Sequence, residues 1–311
     1  MKALICGSYA YDNIMVFQDR FKNHILPDKI HMLNVSFLVP EMRREFGGCA
    51  GNIAYNMKLL GHDPLPMATV GSDFSPYAEW SEKIGIDQTY IKTIDNAFTA
   101  QAFITTDLDD NQITAFHPGA MGMSQENIVP TDQEIKLGII SPDGRDGMIE
   151  HAQQFAEASI PFIFDPGQGM PMFDGDELLN FIDQATWVTV NDYEAQMLQD
   201  KTGKSPGEIA QRVDALIITL GGEGSHIYAQ GKRIEIPSTK PTAITDPTGC
   251  GDAYRAGLIH GLLNGYDWET TGRIASLMGA LKIEHHGTQN HSLTMQEIEK
   301  RFVASYDRKM S

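Results

Sequence analysis

With 311 residues, 41% of them hydrophobic and 21% charged, the chain is long enough for a sizeable core and too evenly mixed to be disordered. Its 24 basic against 41 acidic residues leave a formal net charge of −17, which argues against nucleic acid or an anionic membrane as partner, since both need basic patches. The three cysteines, Cys6, Cys49 and Cys250, have no paired spacing, and no apolar run approaches the roughly 20 residues that span a bilayer, so a reduced, cytoplasmic, enzyme-like protein is expected.

Lys2–Cys6 is a short apolar run ending at Gly7 and predicts a buried opening strand. Asp12 lies just past it, at the carboxyl-end loop where open α/β sheets place their ligands. Between residues 14 and 46 the pattern changes: HMLNVSFLV is strand-like, Pro40 interrupts, and no helical period is present. This reads as extra β structure beside the main sheet, a lid. GGCAGNIAYNMKLLG follows, with Ile53, Ala54, Met57 and Leu60 at helical spacing and Gly61 as the stop. A strand over 66–70 and a short helix over 76–84 come next. Thr99–Thr106 and Gln112–Phe116 flank LDDN, a hairpin signal that adds a second piece to the lid, about 97–118.

Strand-like and helix-like runs then alternate from Lys136 to Leu220, which predicts a mainly parallel sheet with helices on both faces. Helices over 251–264 and 268–284 close the core, and 294–306 is a last amphipathic one. The expected architecture is one α/β unit covering 1–311, with a small β lid.

DPTGCGDAYRAGL, from Asp246 to Leu258, is the stretch that most suggests chemistry. Gly249 and Gly251 around Cys250 let backbone N–H groups approach an anion, and the helix that follows adds its positive end. A carboxylate in that first turn, Asp252, would repel a phosphate unless it serves a hydroxyl that attacks the phosphate. Its place at the helix end and its expected exposure would keep it ionised. A thiol at a helix N-terminus tends to a lowered pKa, so Cys250 is expected to be reactive.

Other patterns at strand ends agree. Gly47-Gly48-Cys49-Ala50-Gly51-Asn52 is a second glycine-rich turn opening a helix. The acceptor-only Asp12 and the two-way Asn52 together suit vicinal hydroxyls. Asn191-Asp192-Tyr193-Glu194 reads both as a helix cap and as a source of a Glu acting through water on Mg²⁺. Thr219-Leu220-Gly221-Gly222-Glu223-Gly224 could hold nucleotide phosphates or simply turn between strands. Gly203-Lys204-Ser205 resembles the end of a phosphate loop, but Leu198 stands where glycine is required. His285, His286 and His291 lack a further ligand at metal spacing and read as solvated; Arg43 and Arg44 read as solvated charges.

Taken together, Asp12, GGCAGN, NDYE, TLGGEG and DPTGCGDAYRAG resemble the PfkB, or ribokinase-like, family of small-molecule kinases over nearly the whole chain. The resemblance implies a helix-sandwiched sheet with a β lid, using MgATP to phosphorylate a primary hydroxyl. It implies Asp252 as catalytic base and Gly249, Cys250 and Gly251 as the anion hole. Asp12, Gly47, Gly48 and Asn52 would hold sugar hydroxyls, Asn191 and Glu194 would serve the Mg²⁺–phosphate network, and Thr219, Gly221 and Gly224 would touch ATP. Asp246 and Gly287 fall where many members bind a monovalent cation such as K⁺.

FLVPEMRREFGGCAGN, AFHPGAM and FDPGQG carry a finer similarity to the prokaryotic adenosine and nucleoside kinases. That implies a purine nucleoside receiving phosphate on its 5′-hydroxyl, with Ser8, Phe37 and Gln168 as candidates for contacting the base. Cys250 and Tyr254 depart from the Ala and Phe common in the family. Two alternatives stay open: a kinase of ribose or fructose, and a catalytically dead ligand-binding regulator on the same fold. A nucleoside needs a flat apolar slot under the lid that a sugar does not. Exposed lid strands would also suit a homodimer.

Overall fold

The computed structural model describes residues 2–25, 32, 34–109, 111–131 and 134–310. The chain opens with strand β1 (Lys2–Cys6), whose side chains alternate between two cores: Ala3 and Ile5 enter one, Leu4 and Cys6 the other. Strands β2 (Ala10–Val16) and β3 (Glu41–Gly47) then leave the main sheet. Helix α1 (Cys49–Leu59) returns to it and stops at Gly61, whose φ of 77° is left-handed. Next come β4 (Leu65–Gly71), α2 (Ser75–Lys83), β5 (Tyr90–Ile94), β6 (Ala100–Thr106) and β7 (Gln112–His117).

The alternating half of the chain supplies β8 (Ile135–Ile140), α3 (Arg145–Glu157), β9 (Phe162–Phe164) and α4 (Gly175–Gln184). It continues through β10 (Trp187–Asn191), α5 (Asp192–Thr202), α6 (Pro206–Ala210) and β11 (Ala215–Thr219). A hairpin, β12 (Ser225–Ala229) and β13 (Lys232–Ile236), precedes α7 (Cys250–Asn264), α8 (Trp268–Ile283) and α9 (Met295–Tyr306). Reciprocal capping boxes start α4 at Asp174/Glu177, α5 at Asn191/Glu194, α6 at Ser205/Glu208 and α9 at Thr294/Glu297.

The main sheet has nine strands in the order β13-β12-β11-β10-β9-β8-β1-β4-β5. It is parallel from β11 to β5; β12 and β13 add on antiparallel. One face packs on α1, α2, α7, α8 and α9, and the other on α3 to α6. After β1 the chain lays down β4 and β5 on one side and β8 on the other, so a crevice opens at the carboxyl ends of β1 and β8.

The second sheet, β3-β2-β6-β7, is the lid. It pairs β2 with β6 in parallel and uses antiparallel partners outside. It begins at Ala10 rather than near residue 14, so Asp12 sits inside a lid strand and not in a loop of the main sheet. The strand expected over HMLNVSFLV does not form at residues 34–39; residues 31 and 33 lie outside the described residues, as do 26–30 of the expected lid. The segment has no edge of β2 to pair with, because β3 and β6 already occupy both. No helix among the described residues is long and apolar enough to cross a membrane.

Candidate active site

A cleft of about 1000 Å³ lies over the carboxyl ends of β1, β8, β10 and β11, roofed by the lid. The core contributes Ser8, Asp165 and Gln168 from the segments after strands and Asn52 and Asp252 from the first turns of α1 and α7, and the lid contributes Asp12, Ile104, Thr114 and Phe116. The size suits a bound small molecule.

Asp252 sits in the first turn of α7. The turn before it is built from both sides. Asp246 accepts from Thr248 N at 2.9 Å and from Gly287 N at 2.9 Å, and its own N–H bonds to Ile283 O. Gly249 then takes φ of 78°, a left-handed conformation that a side chain would strain, and lets the helix begin at Cys250. The first N–H groups of α7 have no earlier helical carbonyl to bond, and Gly249, Gly251 and Asp252 all line the cleft.

The Asp252 carboxylate is aimed by a chain of amides. Asn52 Nδ2 donates to Asp252 Oδ2 at 2.8 Å, Gln289 Nε2 donates to Asn52 Oδ1 at 3.0 Å, and Trp80 Nε1 donates to Gln289 Oε1 at 2.9 Å. The amide chain fixes the orientation of Asn52, whose Nδ2 then holds one oxygen of the Asp252 carboxylate. Burial pushes Asp252 up to about 7, with Asp165 and Asp12 adding to the rise, while Asn52 and the Arg255 guanidinium hold it down.

Arg255, one turn further along α7, makes a two-pronged pair with Asp165: Nε to Oδ2 at 2.9 Å and Nη2 to Oδ1 at 2.7 Å. Both side chains are buried, and Nη1 also donates to Gly251 O at 3.3 Å. Removing one partner of such a pair leaves a buried charge and costs about 3–5 kcal/mol. The pair ties the loop after β9, which carries Gln168, to the helix that carries Asp252.

From the lid, Asp12 pairs in register with Glu45 across β2 and β3. Burial pushes its carboxyl up to about 6, with Glu45 and Asp246 adding to the rise. Gly47 must lack a side chain, since a Cβ there would stand 2.6 Å from Asp12 Oδ2. Tyr77 OH donates to Gly47 O at 2.9 Å and fixes that turn against α2.

At the far end of the cleft, Asn191 and Glu194 exchange hydrogen bonds of 2.7 and 2.8 Å, so the capping-box reading is realised with both groups still lining the cavity. Burial and the nearby Asp165 raise the Glu194 carboxyl, while Asn191 N–H and Arg255 hold it down. Crowded, oxygen-only donors of this kind fit a hard cation such as Mg²⁺. Among the described residues, no three His, Cys, Asp or Glu side chains converge as a metal site on their own.

A model of the pfkB family carbohydrate kinases matches residues 11–295. The chain belongs to that family. Among curated pfkB-type relatives, the nucleoside kinase of Methanocaldococcus jannaschii is 32% identical over 270 residues, 86% of this chain and 89% of that one. The solved nucleoside kinase of Burkholderia thailandensis in complex with inosine is 52% identical, with a TM-score of 0.90 and 99% of both chains covered. The ADP-inosine complex of the same enzyme is 53% identical, with a TM-score of 0.88, covering 99% of this chain and 97% of that one.

For this pfkB-family chain, the structure gathers most of the residues singled out in the sequence. Asp12, Gly48, Asn52, Ser8, Gln168, Asn191, Glu194, Thr219, Gly221, Gly249, Gly251 and Asp252 line one cavity. Ser8 also anchors the second glycine turn, its Oγ accepting from Cys49 N at 3.2 Å and its carbonyl from Ala50 N at 3.0 Å. Gly224 stands outside the cavity, closing a turn with Leu220 and Gly221. Phe37 is outside it too, packed in a lid cluster with ring centroids 4.8 Å from Phe17 and 5.0 Å from Phe21.

Some expectations are overturned. Asp252 is not kept ionised by exposure, because burial outweighs the helix end. The Cys250 thiol is pushed up to about 11 by burial, opposite to the expected activation. His291 is wholly buried rather than solvated, its Nε2 2.8 Å from Oδ1 of Asn56 on α1, because the segment after α8 packs against that helix. Arg44 is exposed but not idle, lying over the Tyr11 ring and donating to Asn13 Oδ1 at 3.0 Å.

Asp165, Arg255, Gln289 and Trp80 join the candidate site without being among the residues the sequence points to. Asp165 had the same signal as Asp12, an acid past a strand end in an α/β sheet. Arg255 is a lone cation in an apolar helical run, which implies a buried partner. Gln289 and Trp80 carry no sequence signal, since their roles arise only where α2 meets the loop after α8.

Proposed function

We propose that this chain transfers the terminal phosphoryl group of ATP to the 5′-hydroxyl of a purine nucleoside. The observation that carries it is the pairing at the start of α7: a carboxylate aimed by Asn52 beside the glycine turn that opens the helix into the cleft. Asp252 takes the proton of the attacking hydroxyl as the oxygen–phosphorus bond forms. The bond from that phosphorus to the bridging oxygen breaks, and ADP leaves. Gly249, Cys250 and Gly251 steady the charge on the transferring group. Asp12 and Asn52, with the turn at Gly47 and Gly48, position the ribose hydroxyls. Thr219 and Gly221 meet the nucleotide donor, and Asn191 and Glu194 would hold Mg²⁺ through water, where it neutralises phosphate charge.

Ile104 and Phe116 of the lid, with Met121 and Met172, give the cavity an apolar lining. A bare sugar has no use for that surface, whereas a purine does, and this favours a nucleoside over ribose or fructose. Ser8 and Gln168 are the polar groups at hand for the base. The intact Asp252 speaks against a dead regulator. The lid edges β3 and β7 are the strands through which two copies would pair. A panel of adenosine, inosine, guanosine, ribose and fructose with MgATP tests the reading. Turnover of ribose or fructose above every nucleoside would overturn the substrate, and binding without any turnover would restore the regulator.

A further inference from the structure

Near the end of α8 the side chain of Lys282 is wholly buried. Its ammonium donates to the backbone carbonyls of Asp246 at 2.8 Å and His285 at 3.1 Å. A buried cation is costly unless its charge is used, and both partners here are carbonyls rather than carboxylates. Burial pulls the ammonium down from its ordinary range, and Asp246, Cys250 and Asp252 oppose that pull. His291 also feels its charge.

The two carbonyls belong to the two segments that frame the phosphate turn. Asp246 opens the turn that leads to Gly249, and His285 precedes Gly287, whose N–H braces the Asp246 carboxylate. Thr245 and Asp246 N–H groups close the same frame on Ile283 O. Beyond that frame, Thr288 lies against Gly249, where an added Cβ would come within 3.1 Å of its Cγ2. Lys282 therefore clamps the floor of the cradle from below. It also places a positive charge beneath an anion site in a chain of net charge −17.

We infer that Lys282 is a built-in cation and positioning residue for the phosphate turn, occupying with its ammonium the role of a small monovalent ion, so that phosphoryl transfer here needs no added potassium. The inference rests on the kinase reading and replaces the expectation of a monovalent ion beside Asp246.

The test compares initial rates of the full chain and of Lys282→Ala with MgATP and inosine. Tetramethylammonium buffers are used, with potassium or ammonium chloride substituted at constant ionic strength. The unaltered chain is expected to be indifferent to the substitution. Lys282→Ala is expected to lose about tenfold or more, the scale of one charge-assisted hydrogen bond, mainly as a raised KM for ATP with the inosine KM unchanged. Truncation leaves an ammonium-sized space lined by two carbonyls, so potassium or ammonium should restore most of the loss while tetramethylammonium does not. Potassium stimulation of the unaltered chain overturns the inference, as does full activity of Lys282→Ala without small cations. A loss that no small cation reverses, in a variant that melts like the parent, overturns it as well. If the variant does not fold, the cation series on the unaltered chain decides alone. No turnover of any nucleoside by the unaltered chain would instead sink the kinase reading and this inference with it.

Discussion

Replacing Asp252 with Asn is the sharpest probe of the site. The substitution keeps the shape and the partner at Asn52, since an amide oxygen can still accept from Asn52 Nδ2, but it removes the carboxylate proposed as the proton acceptor. Loss of a general base lowers turnover by about 10²–10⁴-fold, or about 3–5 kcal/mol of barrier. The raised carboxyl adds a second signature. With Asp252 at about 7, kcat/KM should fall as pH drops below neutrality, and at pH 6 only about a tenth of the carboxyl is ionised.

The sign also reaches stability. A carboxyl raised in the fold stabilises it below the ordinary carboxylate range, and that contribution is lost as pH rises from about 4 through about 7. Asp252→Asn should therefore fold at least as well as the parent at pH 8. The assay separates nucleotide products by ion exchange across pH 5.5–8.5, with nucleoside affinity measured independently by calorimetry. Turnover near that of the parent at pH 8, or an unchanged acid limb in the variant, would refute Asp252 as the base.

Two further outcomes follow from the local geometry. Gly47→Ala places a methyl 2.6 Å from Asp12 Oδ2 and must displace that carboxylate, so the nucleoside KM should rise while the ATP KM holds; equal changes in both would count against Asp12 as a ribose ligand. With its thiol near 11, Cys250 is about 0.1% thiolate at pH 8 and should react with a chromogenic disulfide more slowly than free cysteine, whereas fast, ATP-protected modification would contradict the burial argument.

The sequence reveals most of the frame because period alone encodes it. Apolar runs closed by glycine become β1, β4 and β11, and helical spacing over Ile53–Leu60 becomes α1. The hairpin β12–β13 escapes notice because its turn is Gln230-Gly231 rather than the Asn-Gly that announces such turns, with φ of 53° and 71° doing the same work. Asp12 reads as a loop residue because it falls just past the apolar run closed by Gly7; the lid strand takes it in because Asp12 faces the cavity and Asn13 beside it donates to Gln101 and accepts from Arg44. The site residues are visible as motifs, but their charge states are not. For Asp252 and Cys250 the helix end, which sequence shows, loses to burial, which only the assembled fold creates.

The hydrogen bond from Asn52 to Asp252 joins positions 200 residues apart. One half of the site is written near the start of the chain and the other near its end. A ribosome must deliver α7 before the early glycine turn has a carboxylate to hold, and bringing distant segments together is slow compared with local pairing. Phosphoryl transfer in this chain is thus a late event in folding as well as in synthesis. Recovery of activity on refolding should lag behind recovery of helical signal, and catalysis itself becomes the clock for the final closure of the fold.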